Sequence, residues 1–309
     1  MKWKKEELEF LKTNYGKASK NELLDFLKER SLNSIRIKAK AIGLKKIIHE
    51  RAESNLSKLL LEENETYYWI GFLMADGYIN HDNKRIKLTL SNKDRNHLEK
   101  FCKFIESNNL REFEKNNKKY AEICVKDNFY VNKIINKYGF NPRKTYNPID
   151  ENFLKNLDNN KFYSFLIGFI DADGSILKDH RREEFKLSIK LHASWQNILK
   201  IISKRICEDI NIDIKKVIIG KCGYARVVFN NFIILKHLKK KIVELNIPFM
   251  ERKWDIIDIN RITRNELSAI NRDKIKTLLI KNLSIKDISE DVGLNYKLTW
   301  QIIKKIKKE

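Results

Sequence analysis

Two apolar stretches interrupt an otherwise polar and charged chain. The first reads Trp69-Ile70-Gly71-Phe72-Leu73-Met74-Ala75-Asp76-Gly77. The second reads Leu166-Ile167-Gly168-Phe169-Ile170-Asp171-Ala172-Asp173-Gly174, and the two final acids stand 97 residues apart. Each stretch predicts a helix that is apolar almost all round and therefore buried. A small residue recurs at every fourth position, Gly71 with Ala75 and Gly168 with Ala172. Such positions share one helix face, and small side chains there let two helix backbones approach closely. The natural partners are the two helices themselves. Gly77 and Gly174 are expected to end them in the left-handed conformation that glycine permits.

The segment after each helix repeats as well. In residues 84–91, Arg85, Lys87, Thr89 and Ser91 face one way and Ile86, Leu88 and Leu90 the other. In residues 185–192, Lys186, Ser188, Lys190 and His192 alternate with Phe185, Leu187, Ile189 and Leu191. Period-two alternation marks a half-buried strand. Helices are expected near 93–107 and 194–209. Strand pairs come next, near 111–115 with 119–126, and near 214–219 with 224–229. Closing helices lie near 128–138 and 230–244. Each unit thus reads α-β-β-α-β-β-α, which predicts an α+β core with a pseudo-twofold repeat. Both units close on a related phrase, Asn141-Pro142-Arg143-Lys144-Thr145 and Pro248-Phe249-Met250-Glu251-Arg252-Lys253-Trp254, in which Lys144 and Lys253 match.

The repeat places one acid, Asp76 or Asp173, at the C-terminus of each helix. The helix dipole is negative there and disfavours a carboxylate. Two such ends brought together make a strongly negative spot, which a hard divalent ion such as Mg²⁺ would neutralise through oxygen ligands. The polar strand faces are cationic and hydroxylic, with no acid among those positions. Arg85, Lys87, Thr89, Ser91, Lys186, Ser188 and Lys190, with Arg226 from the later strand, suit phosphates and base edges. A single copy of either feature would read as a core helix ending in a common Asp-Gly turn, or as a sheet with a solvated face. The doubled pattern is what points to chemistry.

The flanks predict separate small helical units. In residues 1–46, Trp3, Leu8, Phe10, Leu11 and Tyr15 precede a break at Gly16. Leu23, Leu24, Phe26 and Leu27 make a second helix, and Asn33 or Ser34 is expected to cap a third over residues 35–42. Its Arg36, Lys38 and Lys40 would face DNA in a helix-turn-helix layout similar to Myb/SANT units. Residues 47–65 read as a linker or connecting helix. In residues 272–309, Ser284 is expected to cap a helix and Gly293-Leu294 to turn into the next. That last helix would pack on Leu298, Ile302 and Ile303, leaving Lys297, Thr299, Trp300, Gln301 and Lys304 toward a groove. Between the flanks, residues 66–150 and 151–262 hold the two repeats.

Composition sharpens the partner. The 309 residues carry 63 Lys and Arg against 41 Asp and Glu, a net charge of +22 and a pI near 9.6. That excess predicts a polyanionic partner and salt-dependent binding. Neither apolar stretch reaches the ~20 residues of a membrane span, and no secretion signal is visible at the charged N-terminus. Cys102, Cys124, Cys207 and Cys222 form no CxxC pair, which fits reduced thiols in a reducing, DNA-containing compartment, cytoplasm with nucleoid or an organellar matrix.

These motifs resemble those of the LAGLIDADG homing endonucleases, in the single-chain form with two motifs, over about residues 62–260. The resemblance implies two sheets forming a saddle over DNA. It implies that Asp76 and Asp173 bind the Mg²⁺ ions that cut DNA, with Mn²⁺ or Ca²⁺ able to substitute in binding. The backbone carbonyls of Ala75 and Ala172 are implied as further ligands, and Lys144 and Lys253 as basic residues near the scissile phosphates. It further implies intron mobility, cutting across the minor groove, and a monomer, since the second motif replaces a partner subunit. Met74 departs from the earlier acid that the second motif keeps as Asp171. Two other classes stay open: a DNA-binding regulator that lost cleavage, and a maturase acting on intron RNA. Retention of both acids speaks against the first. The helical flanks favour duplex DNA over RNA, whose A-form major groove excludes a helix.

Overall fold

The computed structural model describes residues 3–16, 18, 20–44, 54–82, 84–179, 184–262 and 264–307. Lys45, Lys46, residues 47–53 of the expected linker and the last two residues lie outside them. The chain parts into two compact units, Met1–Asn55 with Glu106–Asn109, and Leu56–Ile105 with Leu110–Glu309.

In the first unit, α1 (Lys5–Asn14), α2 (Lys20–Phe26) and α3 (Leu32–Ala41) close on Leu11, Tyr15, Leu23, Leu27, Ile35 and Ala39. Arg30, 7% exposed, grips Glu7 through Nε and Nη2 at 2.9 and 2.8 Å. That bidentate pair, chiefly its hydrogen bonds, holds the Glu7 carboxyl down at about 2. The cap of α3 is neither Asn33 nor Ser34. Ser31 Oγ accepts the Ser34 N–H at 3.2 Å, so the helix starts a few residues earlier than expected.

The second unit begins with a 3₁₀ turn, Leu56–Leu60, whose Leu56 and Leu59 are fully buried in the main core. The end of the expected linker is therefore part of the core. Then come α4 (Asn64–Ala75), β1 (Tyr78–Asn80), β2 (Arg85–Ser91), α5 (Arg95–Phe104), β3 (Leu110–Lys115), β4 (Lys118–Lys126) and α6 (Asn128–Tyr138). After a short α7 (Glu151–Asn156), the same succession returns: α8 (Asn159–Asp173), β5 (Gly174–Asp179), β6 (Glu184–His192), α9 (Gln196–Asp209), β7 (Ile218–Gly220), β8 (Tyr224–Phe229) and α10 (Phe232–Glu244). The architecture is mixed α+β with two four-stranded antiparallel sheets, ordered β1-β2-β4-β3 and β5-β6-β8-β7. Ile86, Leu88 and Leu90 of β2, and Phe185, Leu187 and Ile189 of β6, turn inward as their alternation predicts. The strand expected at 214–219 forms only over Ile218–Gly220.

Helices α4 and α8 meet backbone to backbone. A Cβ on Gly71 would fall 1.9 Å from the Phe165 carbonyl oxygen, and one on Gly168 would fall 1.9 Å from that of Tyr68. Glycine at these two positions is thus a steric requirement. The expected left-handed caps at Gly77 and Gly174 do not form. Gly174 has φ −77° and ψ 151°, and Gly77 is not among the residues of positive φ. Glycine is needed for room instead, because the chain folds straight from each helix into a strand. A Cβ would lie 2.5 Å from Leu73 O at Gly77 and 2.6 Å from Ile170 O at Gly174.

After α11 (Glu251–Trp254), three helices close around Ile275, Ile288 and Ile303: α12 (Arg264–Ile280), α13 (Ile285–Val292) and α14 (Tyr296–Ile306). Ser284 Oγ caps α13 through the Asp287 N–H at 3.2 Å, and Gly293 turns at φ +69°. No helix among the described residues is long and apolar enough to cross a membrane.

Candidate active site

Asp76 is the C-cap of α4 and Asp173 the last residue of α8. Because α4 and α8 touch along Gly71 and Gly168, these two ends lie within each other's field. The Asp173 carboxyl is pushed up to about 6, first by burial and then by the charge of Asp76, against the pull of Lys144 and Lys253. Asp76 is also raised, chiefly by burial, while Lys144 and Lys253 lower it. Both side chains still reach solvent, which screens part of this mutual effect.

Each helix end is capped by a lysine from a distant segment. Lys144 Nζ donates to the carbonyls of Leu73 (3.0 Å), Met74 (2.7 Å) and Ala75. Lys253 Nζ donates to Ile170 (2.9 Å), Asp171, Ala172 (3.3 Å) and Gly174 (2.7 Å). The last carbonyls of a helix have no partner within it, and a cation there complements the dipole. The ammonium groups therefore sit beside the two acids. Burial lowers the Lys144 amine to about 8, although Asp173 and Asp76 oppose that shift. Lys253 is lowered for the same first cause and is only 8% exposed. Ala75 and Ala172, expected as carbonyl ligands, thus share their oxygens with the lysines. A carbonyl has two lone pairs, so one donor does not exhaust it. A cavity of about 420 Å³ opens beside Asp173 and Lys144, lined also by Lys190, His192, Trp195 and Tyr224.

Asp171 has a different task. It is 1% exposed and accepts Tyr68 Oη at 2.7 Å, Met250 N at 2.8 Å and Trp254 Nε1 at 2.6 Å. Those bonds tie α8 to α4 and to the segment that carries Lys253. Arg252 adds a bidentate grip on Asp94, at 2.5 and 3.0 Å. Met74, at the matching place in α4, is buried in the core. Tyr68, His97, Trp254 and Asp94 are not legible as site residues from sequence, because each acts through a partner far off along the chain.

The polar sheet faces are unlike each other. On the first, Arg85 and Ser91 are exposed and Lys87 and Thr89 half-buried. The register sets Thr89 opposite Glu122 and Glu122 opposite Arg111. The acid-free positions of β2 thus face an acid on the neighbouring strand. Glu122, 3% exposed, accepts Thr89 Oγ1 at 2.8 Å and Arg111 Nε at 3.0 Å, and pairs with Lys87 at 3.4 Å. The alternation of residues 119–126 puts Glu122 on the polar face, but only the strand register reveals its partners. On the second face, Arg226 Nε donates to Ser188 Oγ at 2.9 Å, and Lys190 lies 4.1 Å over the Tyr224 ring. Lys186 pairs with Leu177 across β5 and β6, and Ile218 with Arg226 across β7 and β8.

In the flanks, Arg36 and Lys40 are exposed and Lys38 half-buried. Lys297, Gln301 and Lys304 are exposed on α14. Thr299 is not a groove contact. It is fully buried, its hydroxyl bonded to Asn295 O at 3.1 Å. The buried stripe of α14 runs through Thr299 and Ile303, with Ile302 and Ile306 beside it, while Leu298 is 40% exposed. Against the expected packing, the helix is turned by about one residue.

No family model matches this chain, and no curated protein matches it. Among solved structures, it is similar to the LAGLIDADG homing endonuclease I-GzeII in complex with its DNA target, at 13% identity and a TM-score of 0.43, over 66% of this chain and 94% of that one. The meganuclease I-SmaMI bound to uncleaveable DNA is similar at 14% identity and 0.42, over 66% and 95%. The LAGLIDADG homing endonuclease I-LtrWI bound to target DNA is similar at 14% and 0.40, over 70% and 96%.

Proposed function

We propose that this protein is a site-specific endonuclease that cuts both strands of duplex DNA with divalent metal. The observation that carries the reading is the meeting of Asp76 and Asp173 at the ends of two touching helices, each end flanked by a lysine, Lys144 half-buried and Lys253 buried. The two repeats would relate by a pseudo-twofold axis, with the sheets as a saddle on the duplex and one strand served by each half. A chain carrying both motifs would act as a monomer. The helical units at 1–46 and 272–309 would extend the contact as DNA-binding modules of helix-turn-helix type, joined to the core within 47–65, ahead of Leu56, and by the segment before 272. The repeats would span 66–150 and 151–262.

The residues fit Mg²⁺. Among the described residues no cluster of three or more His, Cys, Asp or Glu is placed to hold a metal. Mg²⁺ is commonly held by one or two carboxylates, with water and substrate phosphates completing its shell. Asp76 and Asp173 would supply the carboxylates, and Ala75 and Ala172 their carbonyls. When bound, the metal would lower the pKa of a water and stabilise the attacking and leaving oxygens. The chain itself does the rest. The two acids crowd negative charge that a metal cation would relieve. Lys144, beside the 420 Å³ cavity, would set its positive charge close to a phosphate, and Lys253 would hold its half of the site in place. Arg85, Lys87, Ser91, Lys186, Ser188, Lys190 and Arg226 would lie along the duplex.

The test is cleavage of a plasmid library of random inserts with Mg²⁺. Wild type should linearise a specific subset. Asp76→Asn and Asp173→Asn should each slow cleavage by on the order of a hundredfold or more, leaving intact or nicked plasmid. A wild type that shifts duplex DNA in a gel yet never cuts it would favour a DNA-binding regulator. Retention of intron RNA in place of duplex would favour a maturase.

A further inference from the structure

Glu122 lies in the middle of a face expected to meet phosphates, and its carboxylate is covered. At 3% exposure it cannot accept from a base itself. Its role is to hold three donors: Thr89, Lys87 and Arg111. Arg111 keeps two-thirds of its side chain in solvent, 67% exposed, while Nε and Nη2 are engaged by Glu122. A guanidinium held along one edge presents its remaining N–H groups in a fixed direction, which a free arginine does not. The matching region of the second sheet has no such cluster among the described residues. Its polar face carries Leu177, 58% exposed, and Ile218, 57% exposed, beside half-buried Val228. Cross-strand register sets these next to Lys186, Arg226 and Ser188.

We infer that the two sheets read unlike half-sites: the Glu122-anchored Arg111 selects a guanine in one half, and Leu177 and Ile218, on the two outer strands of the other sheet, each select a thymine in the other half. This rests on the proposed DNA-binding reading. Arginine presents paired donors to guanine O6 and N7, and apolar side chains discriminate through the thymine methyl group. Glu122 is then a positioning residue and Arg111 the reader. The sign of its removal sets this role apart from a merely structural one. Glu122→Gln takes away a negative charge from the face, so affinity for random duplex should rise and its salt dependence should steepen. Preference for guanine at one position should meanwhile fall, by roughly tenfold.

The experiment is selection of duplexes from a random library on the full-length protein in metal-free buffer. It compares wild type with Glu122→Gln, Arg111→Lys and the double variant Leu177→Thr/Ile218→Thr. Arg111, Leu177 and Ile218 are exposed, so those variants keep the fold. The wild-type pool should hold a fixed guanine in one half and fixed thymines in the other. Glu122→Gln and Arg111→Lys should each weaken only the guanine preference, by roughly tenfold, and the double variant only the thymines. A guanine preference unchanged in both Glu122→Gln and Arg111→Lys overturns the assignment, as does a wild-type pool with equivalent halves. A pool retained on the protein without any enrichment overturns it too, while leaving DNA binding intact. A protein that retains no duplex overturns the DNA-binding reading itself.

Discussion

His97 sits on α5, 3% exposed, with the rings of Trp69 and Phe72 about it at 5.1 and 4.9 Å. Its Nε2 lies 2.8 Å from Tyr68 Oη, which donates to Asp171. Since that hydroxyl hydrogen is committed to the carboxylate, Nε2–H must donate to the tyrosine oxygen, and Nδ1 is left bare. The imidazole is therefore neutral, and burial pushes it down from 6.5 to about 3. The unfolded chain takes up a proton at this residue below pH 6.5 and the folded one does not until about pH 3. Stability from this group is thus full above 6.5 and lost as pH falls through that window. Each pKa unit is worth about 1.4 kcal/mol. Asp171, raised to about 6 by burial, works the other way: it favours the folded state at low pH and loses that as pH rises through 3.8 to 6. Their opposition means that the wild-type profile alone is ambiguous, whereas the difference from His97→Gln is not. Between pH 6.5 and 4.5, denaturant titrations should show wild type losing about 1 to 2 kcal/mol more than the variant. Equal losses would mean that His97 is charged in the fold.

The helix pair is where sequence and structure agree best, and it supports a sharp test. A methyl group on Gly71 has nowhere to go, since the nearest atom is a backbone oxygen of the facing helix and not a side chain that can swing away. Gly71→Ala should cost about 3 kcal/mol or more, read as a lower midpoint in urea. Gly139→Ala is the control for space alone: nothing lies within 4 Å of the added Cβ, although φ is +65° there, so it should cost about 1 kcal/mol. The glycine spacing is legible because a helical period is local. So are the alternating strands β2 and β6 and the cap at Ser284. Gly77 and Gly174 stand out in the chain, but the left-handed cap is the wrong reason for them. The position of a glycine can be read from the chain, whereas its φ and its neighbours depend on where the next strand goes. Strand β7 is shorter than expected because Ile214 and its neighbours form no ladder, which hydropathy alone does not reveal. Lys144 and Lys253 are visible through their repeated phrase, yet their bonds to the ends of α4 and α8 span about seventy and eighty residues. Such contacts are set by packing and leave no periodic trace. Thr299 shows the same limit on a smaller scale. A threonine beside lysines and a glutamine reads as polar surface until helix packing turns it inward.

At the scale of the whole chain the governing quantity is charge. The net charge of the chain is +22, and its cations include those on the sheet faces, on the exposed side of α3 and on the exposed side of α14. If all of these meet one duplex, each phosphate contact releases counterions, and the slope of log K against log salt steepens by about 0.9 per contact. The flanking contributions can then be counted without changing Asp76 or Asp173. Arg36→Gln with Lys40→Gln should flatten the slope by about 2 units, and Lys297→Gln with Lys304→Gln by a similar amount. All four side chains are exposed, so the fold is spared, and the cleavage rate of the bound complex should stay as it was. Affinity should fall more than either module would lose alone, because a tethered module acts at a high effective concentration. The measurement is a set of binding isotherms from about 50 to 300 mM salt for wild type and each pair. An unchanged slope in one pair removes that unit from the duplex. Its basic surface would then serve another polyanion, with intron RNA the first to offer.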